Sequence, residues 1–237
     1  MRQVVAFSGG SDSTALVHRL WELGEDFACL FTPTGNELPG VAESVRGTCA
    51  ALGRELIEPP NRTLDFWIRE FGALPNWRQR WCTRLIKVEP CVAWLRRNPG
   101  TVLCVGLRAD EDTRVGLYGE LATYRYPLKE WGWKRAEVRQ YLASRGIRQS
   151  VSRRTDCAVC PYQRLGQWFL LWRDYPEEYA LGEAYEAAVG YTFRSPGRDY
   201  WPAALKDLRA EFEKGRRPKG LASVERDGPS ACRVCSL

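Results

Sequence analysis

The chain has 237 residues, a formal net charge of +6, 44% hydrophobic residues and 12% aromatic residues. That length and composition support one sizeable core, or a core with a small appendage, and exclude an intrinsically disordered chain. No apolar run approaches the roughly 20 residues a membrane helix needs, and no secretory leader pattern precedes the first apolar strand at Val4, so a cytoplasmic protein without a membrane partner is expected. The modest basic excess suits a polyanionic partner and a solvated basic surface equally well.

Val4-Val5-Ala6-Phe7 reads as a short buried strand. It breaks at Ser8-Gly9-Gly10-Ser11-Asp12-Ser13-Thr14, and a helical pattern of Ala15, Leu16, Val17 and Leu20 follows. A Gly-Gly pair between strand and helix lets the backbone pass close to an anion, and the hydroxyls and amides after it sit at the positive end of the helix, where phosphate is stabilised. Neither the P-loop spacing nor Gly-x-Gly-x-x-Gly is present. Phe27–Phe31 reads as a second strand, running into a Gly- and Pro-rich loop at 32–40; a helix follows from Val41 to Leu52 and a weak third strand at Leu56-Ile57-Glu58. Helical patterns cover Leu64–Phe71 and Cys82–Arg97, the latter interrupted near Pro90. Thr101–Leu107 is a strong buried strand, Tyr124–Leu128 a short one, and Lys134–Arg145 a helix. Strand–helix alternation predicts a doubly wound, mostly parallel α/β sheet. Ligands bind such sheets beyond the carboxyl ends of the strands, so the loops after Phe7, Phe31 and Leu107 are expected to converge. After residue 150 the chain turns helical, aromatic and charged, with segments at Leu165–Arg173, Glu177–Val189 and Pro202–Lys214. The expected division is a nucleotide-binding domain at 1–150 and a helical, cysteine-bearing extension at 151–237.

Nine cysteines in a cytosolic chain point away from disulfides. Cys29, Cys91 and Cys104 stand in apolar surroundings and read as buried hydrophobes, and Cys49 falls on a helix. Cys82 lies in RWCTR, between Arg80 and Arg84, and two C-x-x-C pairs follow, Cys157/Cys160 and Cys232/Cys235. Two such pairs suit a tetrahedral Cys₄ zinc site. His18, the only histidine, lies on the first helix. The aromatics from Trp168 to Tyr185 fall at helical spacings and read as core. Arg194, Arg198, Arg216, Arg217 and Lys219, with Tyr191, Tyr200 and Trp201 among them, outline a weak nucleic-acid surface.

Ser8–Ser13 matches the SGGxDS signature of the PP-loop ATP pyrophosphatases, and with other motifs the chain resembles the phosphoadenosine phosphosulfate reductase family in its broad sense. Those motifs are Thr34-Gly35-Asn36-Glu37-Leu38-Pro39, Trp81-Cys82-Thr83-Arg84 with Lys87 and Pro90, Val105-Gly106-Leu107-Arg108 with Glu111 and Arg114, and Tyr126-Pro127-Leu128, all in the family's order. The resemblance implies ATP and Mg²⁺ bound through Ser8, Gly9, Gly10, Ser11, Asp12, Ser13 and Thr14, with Thr34, Gly35, Arg108 and Arg114 around the nucleotide. Asp12 would help hold the cation, since a hard ion wants oxygen ligands; Arg108 and Lys87 would face phosphate. Dedicated sulfonucleotide reductases usually carry a degenerate first loop, whereas this chain keeps both glycines and Asp12. The resemblance therefore implies an enzyme that consumes ATP, adenylylates an acceptor such as a nucleic acid and transfers sulfur from a donor protein. Two alternatives stay open: a reductase that makes sulfite from an adenylylated sulfate, and a nucleotide- or nucleic-acid-binding module without turnover. For the cysteines the resemblance adds a second reading, a 4Fe–4S cluster held by Cys82, Cys157, Cys160 and one of Cys232 or Cys235. On the zinc reading, with Cys157, Cys160, Cys232 and Cys235 as ligands, Cys82 is a reactive or persulfide-bearing thiol.

Overall fold

The computed structural model describes residues 2–111, 121–147 and 157–222. Five short strands, β1 (Gln3–Ala6), β2 (Ala28–Leu30), β3 (Leu56–Ile57), β4 (Val102–Cys104) and β5 (Thr123–Arg125), form one sheet in the order β3-β2-β1-β4-β5. Every neighbouring pair is parallel, with Val5 opposite Cys29 on one side and Cys104 on the other. A parallel sheet needs crossovers on its faces, and its strands are buried on both sides. That is why Val4 to Phe7 reads as an unbroken apolar run. Val5 and Phe7 pack with α1 (Ser11–Glu22), α2 (Val41–Ala51) and α6 (Arg135–Ser144). Val4 and Ala6 face the opposite layer with Leu30, Leu103, and Cys91 and Leu95 of α4 (Glu89–Arg97).

From β1 the chain winds outward through β2 and β3, then returns across β1 to place β4 and β5 on the other side. The reversal opens a crevice beyond the carboxyl ends of β1 and β4, the usual ligand position in doubly wound sheets. α3 (Leu64–Phe71) begins with Thr63, whose hydroxyl accepts the Phe66 N–H at 3.3 Å.

Two elements differ from the sequence expectation. The segment at Tyr124–Leu128 is split: β5 ends at Arg125, and Pro127 opens the short helix α5 (Pro127–Glu130). Proline at a first helical position has no N–H to lose and a φ already suited to the turn. The helix over Cys82–Arg97 contains a π-helical stretch, Thr83–Val88, just before Pro90. Pro90 cannot donate to the Ile86 carbonyl four residues back. Asn61 Nδ2 supplies that bond at 3.1 Å, and the ladder widens there.

The C-terminal helices α7 (Leu165–Asp174), α8 (Pro176–Val189) and α9 (Leu205–Glu213) build a third core around Trp168, Phe169, Tyr179, Leu205 and Phe212. Leu38, Val41, Leu64, Ile68 and Ile86 belong to the same core, so these helices pack directly on the α/β layers. The aromatics read as core are buried as expected, whereas Arg194 is not a surface residue. It is 2% exposed, donates to Asp199 at 2.8 and 2.9 Å and to the Pro202 carbonyl, and ties the connection between α8 and α9 together.

Glu186 pins the two ends of that connection. Its carboxylate accepts the Phe193 N–H at 2.8 Å and the Leu205 N–H at 2.6 Å. Burial pushes its pKa from 4.5 up to about 7, against the pull of those two N–H groups. A carboxyl with a raised folded pKa binds more protons folded than unfolded, so the stability it contributes is present below about 4.5 and is lost as pH rises through about 7. Thermal melts at pH 5 and pH 8 should therefore show wild-type stability falling more steeply with pH than that of Glu186→Gln. Equal slopes would rule the linkage out.

Candidate functional site

The loop after β1 turns on Gly9, which has φ +76°. A Cβ there would sit in a left-handed conformation and 3.0 Å from Val45 Cγ2, so only glycine serves. Gly10 is the N-cap of α1 and offers no side-chain cap, leaving the helix start to backbone and hydroxyl groups. Ser13 Oγ donates to the Gly10 carbonyl at 3.1 Å and lies 3.3 Å from Ser8 Oγ; the Thr14 N–H donates to the same carbonyl at 2.8 Å. Ser8, Ser11, Asp12, Ser13 and Thr14 thus surround the positive end of one helix, where an anion is favoured.

The segment after β4 closes on this loop. A Cβ at Gly106 would lie 3.2 Å from the Ser13 backbone nitrogen and 3.3 Å from the Asp12 carbonyl carbon, so the absence of a side chain permits the approach. Two residues on, Arg108 Nη1 donates to the Asp12 carboxylate. Arg108 Nε also reaches Asp110 at 2.9 Å, its Nη2 lies 3.6 Å from Glu111, and the Glu111 carboxylate accepts the Arg108 N–H at 3.2 Å. The Asp12 and Arg108 side chains are 9% and 14% exposed, which makes this a largely desolvated ion pair. Burial pushes the Asp12 carboxyl above its ordinary value while Arg108 pulls it down, and the net direction is up. For Arg108 burial works downward, but the charges of Asp12 and Glu111 hold the guanidinium above its usual pKa. His18 stands further along α1, half-buried, its pKa lowered by burial.

The loop after β2 is held by its own acid. Glu37 accepts the Thr34 N–H at 2.7 Å, the Thr34 hydroxyl at 2.6 Å and the Gly35 N–H at 3.1 Å. Against it lies the first C-x-x-C pair. Cys157 bridges antiparallel to Glu37, the Ala158 N–H donates to the Asn36 carbonyl at 2.6 Å, and Asn36 Nδ2 reaches the Val159 carbonyl at 3.3 Å. Cys157 Sγ is 3.6 Å from Thr34 Oγ1. The fold therefore carries the Cys157/Cys160 turn to the carboxyl end of β2, a placement spacing alone could not supply.

Cys82 is half-buried immediately before the π-helical stretch and packs on the helical core, and Lys87 lies within that stretch. Asn61 joins it to the β2 loop, donating to the Pro33 carbonyl at 2.6 Å as well as to Ile86. Arg80 lies 5.7 Å over the Tyr162 ring, linking the strands of chain next to Cys82 and Cys160, and Arg84 pairs with Glu89 at 3.6 Å. Gly106 stood in the Val105–Arg108 motif without its steric role being legible, and Asn61 was missed as a position that shapes the site. The only sequence signal for Asn61 was a proline needing a surrogate donor at 90. Arg114, Cys232 and Cys235 lie outside the described residues. Among the described residues no three His, Cys, Asp or Glu side chains gather as a metal site, and no helix is long and apolar enough to cross a membrane.

A family profile described as phosphoadenosine phosphosulfate reductase domain matches residues 2–151. Curated proteins gave no match. Among solved structures, phosphoadenylyl-sulfate reductase from Candida auris, in a phosphate complex, aligns with TM-score 0.52 at 16% identity, covering 63% of this chain and 75% of that one. At that identity the likeness is one of fold. A predicted subunit of a tRNA methyltransferase from Methanocaldococcus jannaschii aligns at TM-score 0.39 and 17% identity, covering 75% of this chain and 89% of that one. The U34-tRNA thiolase NcsA from Methanococcus maripaludis, with its 4Fe–4S cluster, aligns at TM-score 0.44 and 12% identity, covering 98% and 82% respectively.

Proposed function

The chain belongs to the phosphoadenosine phosphosulfate reductase domain family, and from that premise we propose that it is an ATP pyrophosphatase that adenylylates an acceptor and supports sulfur transfer to it. The observation that carries this reading is the desolvated Asp12–Arg108 pair at the mouth of an intact Ser8–Ser13 loop. The β,γ-phosphates lie against the start of α1, and the polyphosphate competes with Asp12 for the Arg108 guanidinium, whose fork suits phosphate. Asp12 is thereby released. Its carboxylate and the Ser8 and Ser13 hydroxyls are hard oxygen donors, which fit Mg²⁺; the ion supplies charge neutralisation on the phosphates. An acceptor oxygen attacks the α-phosphorus, the bond to the β-bridging oxygen breaks, and pyrophosphate leaves on Arg108, Lys87 and Arg114. The outer sulfur of a Cys82 persulfide, received from a donor protein, then attacks the activated carbon and displaces AMP, leaving a Cys82–acceptor disulfide. An external dithiol cleaves that disulfide, is itself oxidised, and releases the thiolated acceptor and the Cys82 thiolate.

On this reading nucleotide chemistry belongs to 1–150 and thiolate ligation to 151–237. Cys157 and Cys160 supply two thiolates from one turn, a set that suits zinc when Cys232 and Cys235 complete it, and an iron–sulfur cluster when Cys82 and one of the terminal pair do. Anaerobically purified Cys157→Ser/Cys160→Ser should lose at least half of its bound zinc or iron by elemental analysis. Metal-free wild type, or a variant that keeps its full complement, would refute the ligand set.

The family itself keeps a second reading alive: reduction of an adenylylated sulfate. Parallel incubations separate them. Wild type given ATP, Mg²⁺, labelled pyrophosphate and single-stranded nucleic acid as acceptor should exchange label into ATP through a reversible adenylylation. Wild type given phosphoadenylyl sulfate and a dithiol should release no sulfite. Sulfite without exchange would replace the proposal by the reductase reading.

A further inference from the structure

A concave site borders the two cysteine segments. It is a cleft of about 1080 Å³, just above the ~300–1,000 Å³ typical of ligand sites. Its walls come from three places: 73–79, Pro161-Tyr162, and 190–198. The first wall runs into Arg80, Trp81 and Cys82; the second follows directly from Cys160. The third is the connection that Glu186 and the buried Arg194 hold rigid.

The lining is unusual for a surface. Trp77 is 56% exposed and Tyr191 70% exposed. The Tyr162 hydroxyl donates to the Trp77 backbone carbonyl at 2.9 Å, tying the second wall to the first. Cations accompany the rings: Arg78 lies 4.6 Å over Trp77, Arg80 lies 5.7 Å over Tyr162, and Arg198 lines the third wall. Among the described residues that line the cleft there is no carboxylate. Exposed aromatics flanked by guanidinium groups and free of acids provide stacking faces for bases and counter-charge for phosphates, the combination that binds single strands. A duplex, with its bases stacked inside, could use the charge but not the rings.

We propose that this cleft binds single-stranded nucleic acid, stacking unpaired bases on Trp77 and Tyr191, and presents it to the cysteine segments as the acceptor; its role as acceptor rests on the adenylylating reading above. The test is fluorescence anisotropy of full-length protein with labelled 12-nucleotide single strands of RNA and of DNA, and with the matching duplexes, at two salt concentrations. Wild type should bind a single strand, more weakly at higher salt, and prefer it to the duplex. Trp77→Ala and Tyr191→Ala should each weaken binding roughly ten-fold or more, and Trp77→Phe should restore most of it. Whether RNA or DNA is favoured identifies the polymer. Both alanine variants remove exposed side chains, and unchanged thermal melts check their fold. No single-strand binding by wild type, equal binding of duplex, or alanine variants that bind as wild type does would each overturn the proposal. Wild type that binds the strand yet shows no ATP–pyrophosphate exchange would leave the cleft assignment standing and sink the adenylylating reading alone.

Discussion

Asp12→Ala should abolish pyrophosphate release while the protein stays folded. Asp12 is the acid at the start of α1, paired with Arg108; in the proposed mechanism its carboxylate is set free when phosphate takes that guanidinium. In the proposed mechanism that carboxylate would help hold Mg²⁺, and losing it would remove several kcal/mol of charge stabilisation at the phosphates, on the order of a 10³-fold fall in rate. The fold tolerates the change for a structural reason. Arg108 keeps Asp110 at 2.9 Å and Glu111 at 3.6 Å, so no guanidinium is stranded, and the carboxyl that disappears is one burial already disfavours. Pyrophosphate release and a thermal melt on the same preparation check both halves. A variant that turns over ATP at the wild-type rate would remove Asp12 from the mechanism.

Arg108→Ala should behave differently, losing stability and nucleotide affinity together. Three carboxylates surround this guanidinium, and Asp12 is the most enclosed of them. Removing the cation leaves Asp12 buried without its partner, a defect that costs about 3 kcal/mol when a desolvated pair is broken. The cost depends on pH with a definite sign. Without Arg108 the Asp12 pKa, already raised by burial, rises further. The protonated folded form is then comfortable below the unfolded carboxylate pKa and increasingly penalised as pH rises through the folded one. The melting-temperature gap between wild type and variant should therefore widen from pH 5 to pH 8. ATP affinity should fall about 10- to 100-fold with loss of the charged donors, and Arg108→Lys should recover stability better than affinity, because lysine restores the charge without the fork. A gap that narrows with rising pH would mean that Asp12 is not the group left exposed to the loss.

The first strand, the phosphate-type loop and the helix behind it were legible because each is a local pattern. An apolar run buried on both faces, Gly9 at a turn that only glycine can make, and a period of 3.6 need no distant partner. The parallel sheet and the meeting of loops beyond β1 and β4 followed from strand–helix alternation and the switch-point rule. What stayed hidden depends on contacts far apart in sequence. The Asp12–Arg108 pair spans 96 positions and the Thr34–Cys157 contact 123. Arg194 looked like a surface cation in a polar, glycine-containing stretch; only the folded connection shows it enclosed by Asp199 and the Pro202 carbonyl. The π-helical stretch was half visible: Pro90 announced a defect, but its form depended on Asn61, a residue from another loop.

The central claim is that this chain splits ATP between its α- and β-phosphates, and product identification tests it most directly. Full-length protein incubated with ATP, Mg²⁺, a persulfide donor with a dithiol, and the single-stranded polymer it binds best should yield AMP and pyrophosphate in equal amounts, with neither formed by Asp12→Ala. ADP and orthophosphate as the products, or ATP bound by the wild type and left intact, would contradict the account.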